Sequence, residues 1–389
     1  MSSIPRFIHR VYLAGLTMIW LGSAASAHAE TGVFADRIVL GQSAALEGPA
    51  GALGRDLNQG ILLAFAEANH NGGVHGRRLE LISRDDGYEP TRAIANTQEL
   101  LGQHPVFALI GQVGTPTARA VVPIAEQQGV PFLAAFTGAE FLRQPELSSV
   151  INLRASYEQE AEKGIAHLVD QLEYERIAVL FQDDTFGRDG LDAVRRALAR
   201  RDLEPVGDAT YQRNTLAVKR SVLDLRAVRP DAVFIIGAYA PTAEFIRVSR
   251  EIGFRPQFMT LSFVGSTALA AELGERGAGV LITQVMPLFT DNRHPLVQRF
   301  NAALAEEAAT ASASFVALEG YAAGRLVVAA LEVLGPDVTR KGFLELLRSG
   351  RITELDGIPL HFGIDSNQGS DEVFLTEIRA DGSFREVDP

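Results

Sequence analysis

The sequence predicts an α/β protein built as two Rossmann-like lobes, each a parallel sheet flanked by helices. Short β-branched and apolar runs alternate with amphipathic helical stretches, and that alternation is the signature of parallel strands joined by helical crossovers. The alternation comes in two successive series. About 360 residues follow a leader-like start, more than the roughly 250 to 300 that one hydrophobic core serves.

The leader comes first. Arg6 and Arg10, with no acidic partner, precede an uncharged run over 11–21 and then Ala27-His28-Ala29. A basic start, a short apolar stretch and a small-x-small site make a secretory signal peptide, so residues 1–29 are expected to be removed and the protein to reach the periplasm. The apolar run is about half of the roughly twenty residues that a bilayer span needs.

In the first series, strands are expected at 38–40, 79–83, 107–110 and 132–135. Leu57, Ile61, Ala64, Phe65 and Ala68 recur at three-and-four spacing, one face of a helix, which the Asn- and Gly-rich stretch 69–76 then stops. The second series begins after 150–153, with strands at 177–181, 232–236 and 258–261 and helices between them. A third stretch starts at 279–284 and carries helices at 294–307 and 315–334, whose natural place is back on the first lobe. The Ala/Ser-rich segment 302–314 reads as a solvated helix followed by its loop. No Pro- or Gly-rich connector separates the series, so the chain is expected to pass between lobes in extended strands that act together as a hinge.

Composition removes several classes of function. The net charge of −12 becomes −14 once Arg6 and Arg10 leave with the leader, which makes nucleic acid and anionic lipid poor partners. The chain has no cysteine, so disulfides, thiolate metal sites and cysteine nucleophiles are excluded. The eight histidines show no ligand spacing, so no metal is expected, and no G-x-S-x-G elbow is present. The stretch from Gly48 to Gly54 follows a strand and opens a helix, but its spacing is not G-x-G-x-x-G and it contains Pro49, so it reads as a plain turn. Asp85-Asp86 and Asp183-Asp184 could supply an acid and a base. Each pair follows a strand, where carboxylates cap the next turn or helix, and that role or ligand contact outweighs catalysis. Neither an enzyme nor a cofactor is expected.

Several segments, taken in order, resemble a known family. They are Ile38-Val39-Leu40-Gly41-Gln42-Ser43 followed by Gly48-Pro49, the stretch from Ala68 to Gly76, and Leu79 through Asp86. Further on come Gly111 to Thr117, Val130 to Thr137, and Ile177 to Gly187. The set resembles the periplasmic solute-binding proteins of branched-chain amino-acid ABC importers, which have the type I periplasmic-binding fold. The resemblance implies two lobes joined by three crossings, placed near Arg154, Gln284 and Gly369, that close on a ligand. The N-terminal lobe would hold 30–154 and 284–368, and the C-terminal lobe 155–283 and 369–389.

The resemblance also implies site residues. Gly114 and Thr115 follow the strand at 107–110, where relatives place a hydroxyl against a ligand carboxylate. A helix starting there would add backbone N–H groups and the positive end of its dipole. Thr115 as the N-cap of that helix is the alternative, and the two roles are compatible. Ala135, Phe136, Thr137 and Gly138 occupy the next strand-end loop. Phe186 and Tyr239 stand where relatives use aromatic walls, Tyr157 lies near the first crossing, and Leu53 floors the pocket. Ser262 marks a departure. Amino-acid-binding relatives hold a carboxylate after the strand at 258–261, and Ser262 cannot supply a charge, while Glu158 is out of register as a substitute. The expected function is therefore capture of a small carboxylate, amide, aromatic acid or amino acid by a monomeric protein that delivers it to ABC permease and ATPase subunits. A sensor that presents its closed form to a membrane receptor is the other reading.

Overall fold

A computed structural model describes residues 30–307 and 312–387. The leader with its Ala27-His28-Ala29 site lies outside the described residues, as does 308–311 within the Ala/Ser-rich segment.

Two sheets share one topology. In the first, β1 (Arg37–Ala44), β2 (Arg78–Asp85), β3 (Ala108–Ile110), β4 (Phe132–Leu133) and β5 (Val150–Ile151) pair in parallel in the order β2-β1-β3-β4-β5. In the second, β6 (Ile177–Gln182), β7 (Gly207–Tyr211), β8 (Ala232–Ile236), β9 (Gln257–Thr260) and β10 (Leu281–Gln284) repeat that order as β7-β6-β8-β9-β10. A two-stranded hairpin, β11 (Glu354–Leu355) with β12 (Ile358–Pro359), stands apart. The second sheet is extended by antiparallel β13 (Phe374–Ile378) and β14 (Phe384–Glu386).

Central strands are legible because they are buried throughout, as in β8, Ala-Val-Phe-Ile-Ile. Edge strand β7, Gly-Asp-Ala-Thr-Tyr, escaped the sequence reading because only one of its residues is fully buried and it carries little β-branched character. Strands β4 and β5 are shorter than the apolar runs that announced them.

Helices cover the sheets: α1 (Gly51–His70), α2 (Pro90–Gly102), α3 (Thr115–Gln128), α4 (Tyr157–Ile165), α5 (Thr185–Ala199), α6 (Lys219–Ala227), α7 (Tyr239–Glu251), α8 (Ser266–Leu273), α9 (Pro295–Glu306), α10 (Phe315–Leu334) and α11 (Arg340–Arg348), the last not foreseen. Helix α4 runs on into a π-helical turn over Ala166–Gln171. Helix α10 returns the third stretch to the first lobe. It lies on α1 in backbone contact: a Cβ on Gly60 would stand 2.0 Å from the Ala317 carbonyl oxygen, and one on Gly320 would stand 2.2 Å from that of Leu57. Such an approach needs a glycine at each contact, and α10 is apolar around most of its circumference because it is buried on most sides.

Between the sheets, two passages of chain run side by side. Asn152 and Gln368 form a parallel bridge, with Asn152 N donating to Asn367 O (2.8 Å) and Gly369 N to Asn152 O (2.7 Å). Arg143, on the 3-10 turn Glu140–Arg143, straps them by donating to Gln368 Oε1 (2.7 Å) and to the Arg154 and Ala155 carbonyls (3.0 and 3.1 Å). The remaining passage leaves β10 after Gln284, whose buried side chain is fixed by Ser266 and Thr376.

Candidate functional site

An open parallel sheet binds ligands beyond the carboxyl ends of its strands, where the strand order reverses. Here both sheets reverse, and the loops at those ends meet. Gln182, ending β6, donates to the Tyr88 hydroxyl beyond β2 (3.3 Å), and the Tyr239 hydroxyl accepts from Ala52 N at the start of α1 (3.4 Å). Leu53 packs so closely against Gly265 that a Cβ on Gly265 would lie 2.3 Å from its Cδ2.

The first group of side chains is a line of buried hydroxyls. Thr115 Oγ1 and Thr137 Oγ1 are 2.7 Å apart, and Thr137 donates to the Tyr157 hydroxyl (3.0 Å). Burial pushes the Tyr157 phenol well above its ordinary pKa. Thr115 is the first residue of α3 rather than its N-cap. Gly114 takes the cap position at φ 93°, with the Tyr88 ring packed where a Cβ would be, so the Thr115 hydroxyl is turned toward Thr137 and does not close the helix end. Thr115 and Thr117 precede the first intrahelical donor, and Pro116 between them has no N–H, leaving a positive helix end beside the hydroxyls. Gly138 is held against Tyr157 in the same way.

A ring cluster forms the second group. Phe263 centres it, 4.4 Å from Phe186, 5.4 Å from Phe136 and 6.1 Å from Tyr88, and Phe186 also meets Tyr157 at 5.4 Å. Phe186 and Tyr239 are placed differently. Phe186 sits inside this cluster while Tyr239 reaches across to Ala52. The Ala135 side chain joins a separate core cluster with Ala118, Val121 and Leu142, on the other side of the first sheet, which leaves its backbone to the strand-end loop.

Charge enters through a buried cluster at the base. Glu160 accepts from Ser262 N (2.8 Å), Ser262 Oγ (3.0 Å), Thr283 Oγ1 (2.6 Å) and Arg154 Nη2 (3.2 Å). Arg154 also bonds the Ser262 hydroxyl, lies 4.8 Å over the Phe136 ring, and places Nη1 3.5 Å from Glu319 of α10. Burial pushes the Glu319 carboxyl up to about 7, against the pull of Arg154. Ser262 carries no charge, as the sequence says, yet it rests directly on a carboxylate. Glu158 pairs with Arg196 and Arg200 on the surface and does not reach Ser262. A helical signal existed: a capping box of Ser156 with Gln159 starts α4, and Tyr157, Glu160, Ala161 and Gly164 fall on its buried face.

Of the acidic pairs, Asp85, Asp86 and Asp184 are engaged in local hydrogen bonds, and Asp183 pairs with Arg188 on the surface. Asp184 caps α5 by accepting from Phe186 N (3.0 Å) and Gly187 N (3.4 Å), and Asp85 accepts from Leu46, Glu47 and Gly87 N. Asp86 is buried, bonded by Ser43, Gln112 and Tyr88 N, and burial pushes it up to about 6. Beyond the rings, Arg213 pairs with Glu89 (2.9 Å) and Asp184 (3.1 Å), and Asn214 donates to Glu89 (2.7 Å), joining the lobes at the rim. Among the described residues no cluster of metal-ligating side chains occurs.

Two sheets of one topology whose switch-point loops meet over hydroxyls, rings and a helix N-terminus define a two-lobed binding protein of type I periplasmic-binding fold. The chain belongs to the periplasmic binding protein family, which matches residues 37–383. A solved structure from Rhodopirellula baltica SH 1, described as a possible leucine/isoleucine/valine-binding protein, is 36% identical with a TM-score of 0.86 and covers 92% of this chain and 98% of its own. An amino acid binding protein of Pseudomonas aeruginosa is 23% identical over 74% of this chain and 77% of its own length. A Leu/Ile/Val/Thr-binding protein of Salmonella typhimurium is 22% identical over 64% of this chain and 68% of its own.

Proposed function

We propose that this chain is the extracytoplasmic receptor of an ABC importer, that it works in the periplasm after loss of residues 1–29, and that it carries out no reaction on its ligand. Permease and ATPase subunits are its partners, and the lobes hinge on the passages at Arg154, Gln284 and Gly369. The ligand is a small organic carboxylate or its amide with an apolar or aromatic body. One observation carries this reading: the hydroxyls of Thr115, Thr137 and Tyr157 converge at the N-terminus of α3, beside the ring cluster of Phe136, Phe186 and Phe263. Hydroxyls and a helix N-terminus suit an anion, and rings suit its body. An ammonium is disfavoured because Glu160 is already matched by Arg154 and saturated by Ser262 and Thr283.

An α-amino acid ligand is the second reading, favoured by the description of the Rhodopirellula protein. A thermal-shift panel separates the two. Benzoate, phenylacetate and 4-methylvalerate at millimolar concentration should stabilise the protein, a micromolar binder by about 4 kcal/mol, and leucine and valine should not. Stabilisation by leucine or valine with none from the acids would establish the second reading.

A further inference from the structure

We infer that Arg154 supplies the counter-charge for the ligand's carboxylate and releases Glu319 to do so, making Glu319 a resident carboxylate that the ligand displaces. This rests on reading the cleft as a carboxylate site and names the residues that select for one. Hydroxyls and a helix end stabilise an anion without neutralising it, and a buried anion needs a counter-charge. Arg154 is the cation at hand. Its guanidinium lies 4.8 Å over the ring of Phe136, the residue that precedes Thr137 of the hydroxyl line.

Arg154 is also incompletely used. It is 1% exposed, and its Nε and Nη1 are buried without a hydrogen-bond partner, although Nη1 faces Glu319 at 3.5 Å. A buried guanidinium with two unfilled nitrogens is costly unless a partner completes it. Its two carboxylates are held unequally. Glu160 has four hydrogen bonds and belongs to the base of the site, whereas Glu319 meets Arg154 through an ion pair that lacks hydrogen-bond geometry.

Arg154 already holds two carboxylates, and a third beside it is unfavourable even with Arg143 near Glu319, so a ligand carboxylate that arrives must leave one resident neutral. Glu319 is the group to take the proton, since burial already holds its carboxyl at about 7. The charged groups facing it are Arg154 from the first passage, Glu160 from α4 and Arg143 from the 3-10 turn. Helix α1 presents Leu57 and Gly60 to that part of α10. Farther along α10, Tyr321 is engaged with Glu67 and Arg325 with Asp356.

The test uses the mature protein and Glu319→Gln, whose side chain keeps the shape but cannot titrate. Titration calorimetry with benzoate, phenylacetate and 4-methylvalerate should show binding about tenfold tighter at pH 6 than at pH 8, the change expected when a group titrating near 7 competes for one site. Buffers of different ionisation enthalpy at pH 7 should report uptake of about half a proton per ligand. Phenylacetamide should show neither effect. In Glu319→Gln, with folding checked by its melting curve, carboxylate binding should be as tight at pH 8 as at pH 6 and take up no proton. Equal wild-type affinity at both pH values, or a pH dependence that persists in Glu319→Gln, overturns the inference while leaving a carboxylate receptor. Failure of all three acids to bind at either pH, with leucine bound, overturns the reading beneath it as well. Arg154→Lys is the second variant: a loss of acid binding with phenylacetamide binding retained supports the counter-charge role, and an equal loss of both overturns it.

Discussion

Arg213 of one lobe holds Glu89 of the other at 2.9 Å, and the same guanidinium reaches Asp184, the cap of α5, at 3.1 Å. The rim contact is thereby tied to the helix that presents Phe186 to the ring cluster. A partly exposed pair of this kind contributes about 0.5 to 1 kcal/mol.

Arg213→Ala should therefore favour the open arrangement of the lobes. Ligand affinity is expected to fall about two- to fivefold, the equivalent of that pair. Small-angle scattering should give a larger radius of gyration than wild type at subsaturating ligand and the same radius at saturation. An unchanged affinity would show that the rim pair does not help hold the lobes together.

Thr137→Val removes the middle hydroxyl of the line Thr115–Thr137–Tyr157 and leaves both neighbours buried without that partner. The cost should be about 1 to 3 kcal/mol of stability. Carboxylate binding should weaken more than tenfold, read by calorimetry, and denaturant unfolding should show the lowered stability. Thr137→Ser, which restores the oxygen, should recover most of both.

Asp86 gives a pH signature of stability. Its folded value of about 6 lies above the unfolded 3.8, so the folded state binds the proton more tightly. That contribution is complete below about pH 4 and is lost as pH rises to about 6, with an upper bound of about 3 kcal/mol. Comparing urea midpoints at pH 4 and pH 7, Asp86→Asn should lose this component of the slope while the component from Glu319 persists. An identical slope in variant and wild type would mean that Asp86 titrates normally.

Gly320→Ala tests how the third stretch is anchored. Its Cβ would meet the Leu57 carbonyl oxygen at 2.2 Å, backbone against backbone, so α10 must move away from α1. Overpacking of this kind costs about 1 to 3 kcal/mol or more. The melting temperature should drop, and amides of α1 should exchange hydrogen faster while those of β6 and β8 stay protected.

Local signals made much of the fold legible. Periodicity separates strand from helix within a few residues, which is why α10 was read at 315–334 and β8 at 232–236, the bounds the structure has. The edge and C-terminal strands were missed because their pattern depends on a neighbour, not on their own composition. For the site, the sequence and the family resemblance together brought forward Thr115, Thr137, Tyr157, Phe186 and Ser262. The acid beneath Ser262 is not legible in the sequence, since only the start of α4 decides whether Glu158 or Glu160 faces inward.

The sequence by itself determined the two strand series and the absence of any thiol, because composition and short-range spacing carry that information. Tertiary structure alone decided the charge of the site. Arg154, Glu160, Ser262, Thr283 and Glu319 come from the first passage, α4, the turn after β9, β10 and α10, and no periodicity links them. Electrostatic energy depends on distance in space and on exclusion of water, and both are fixed only once α10 has folded back onto α1 and the lobes have met.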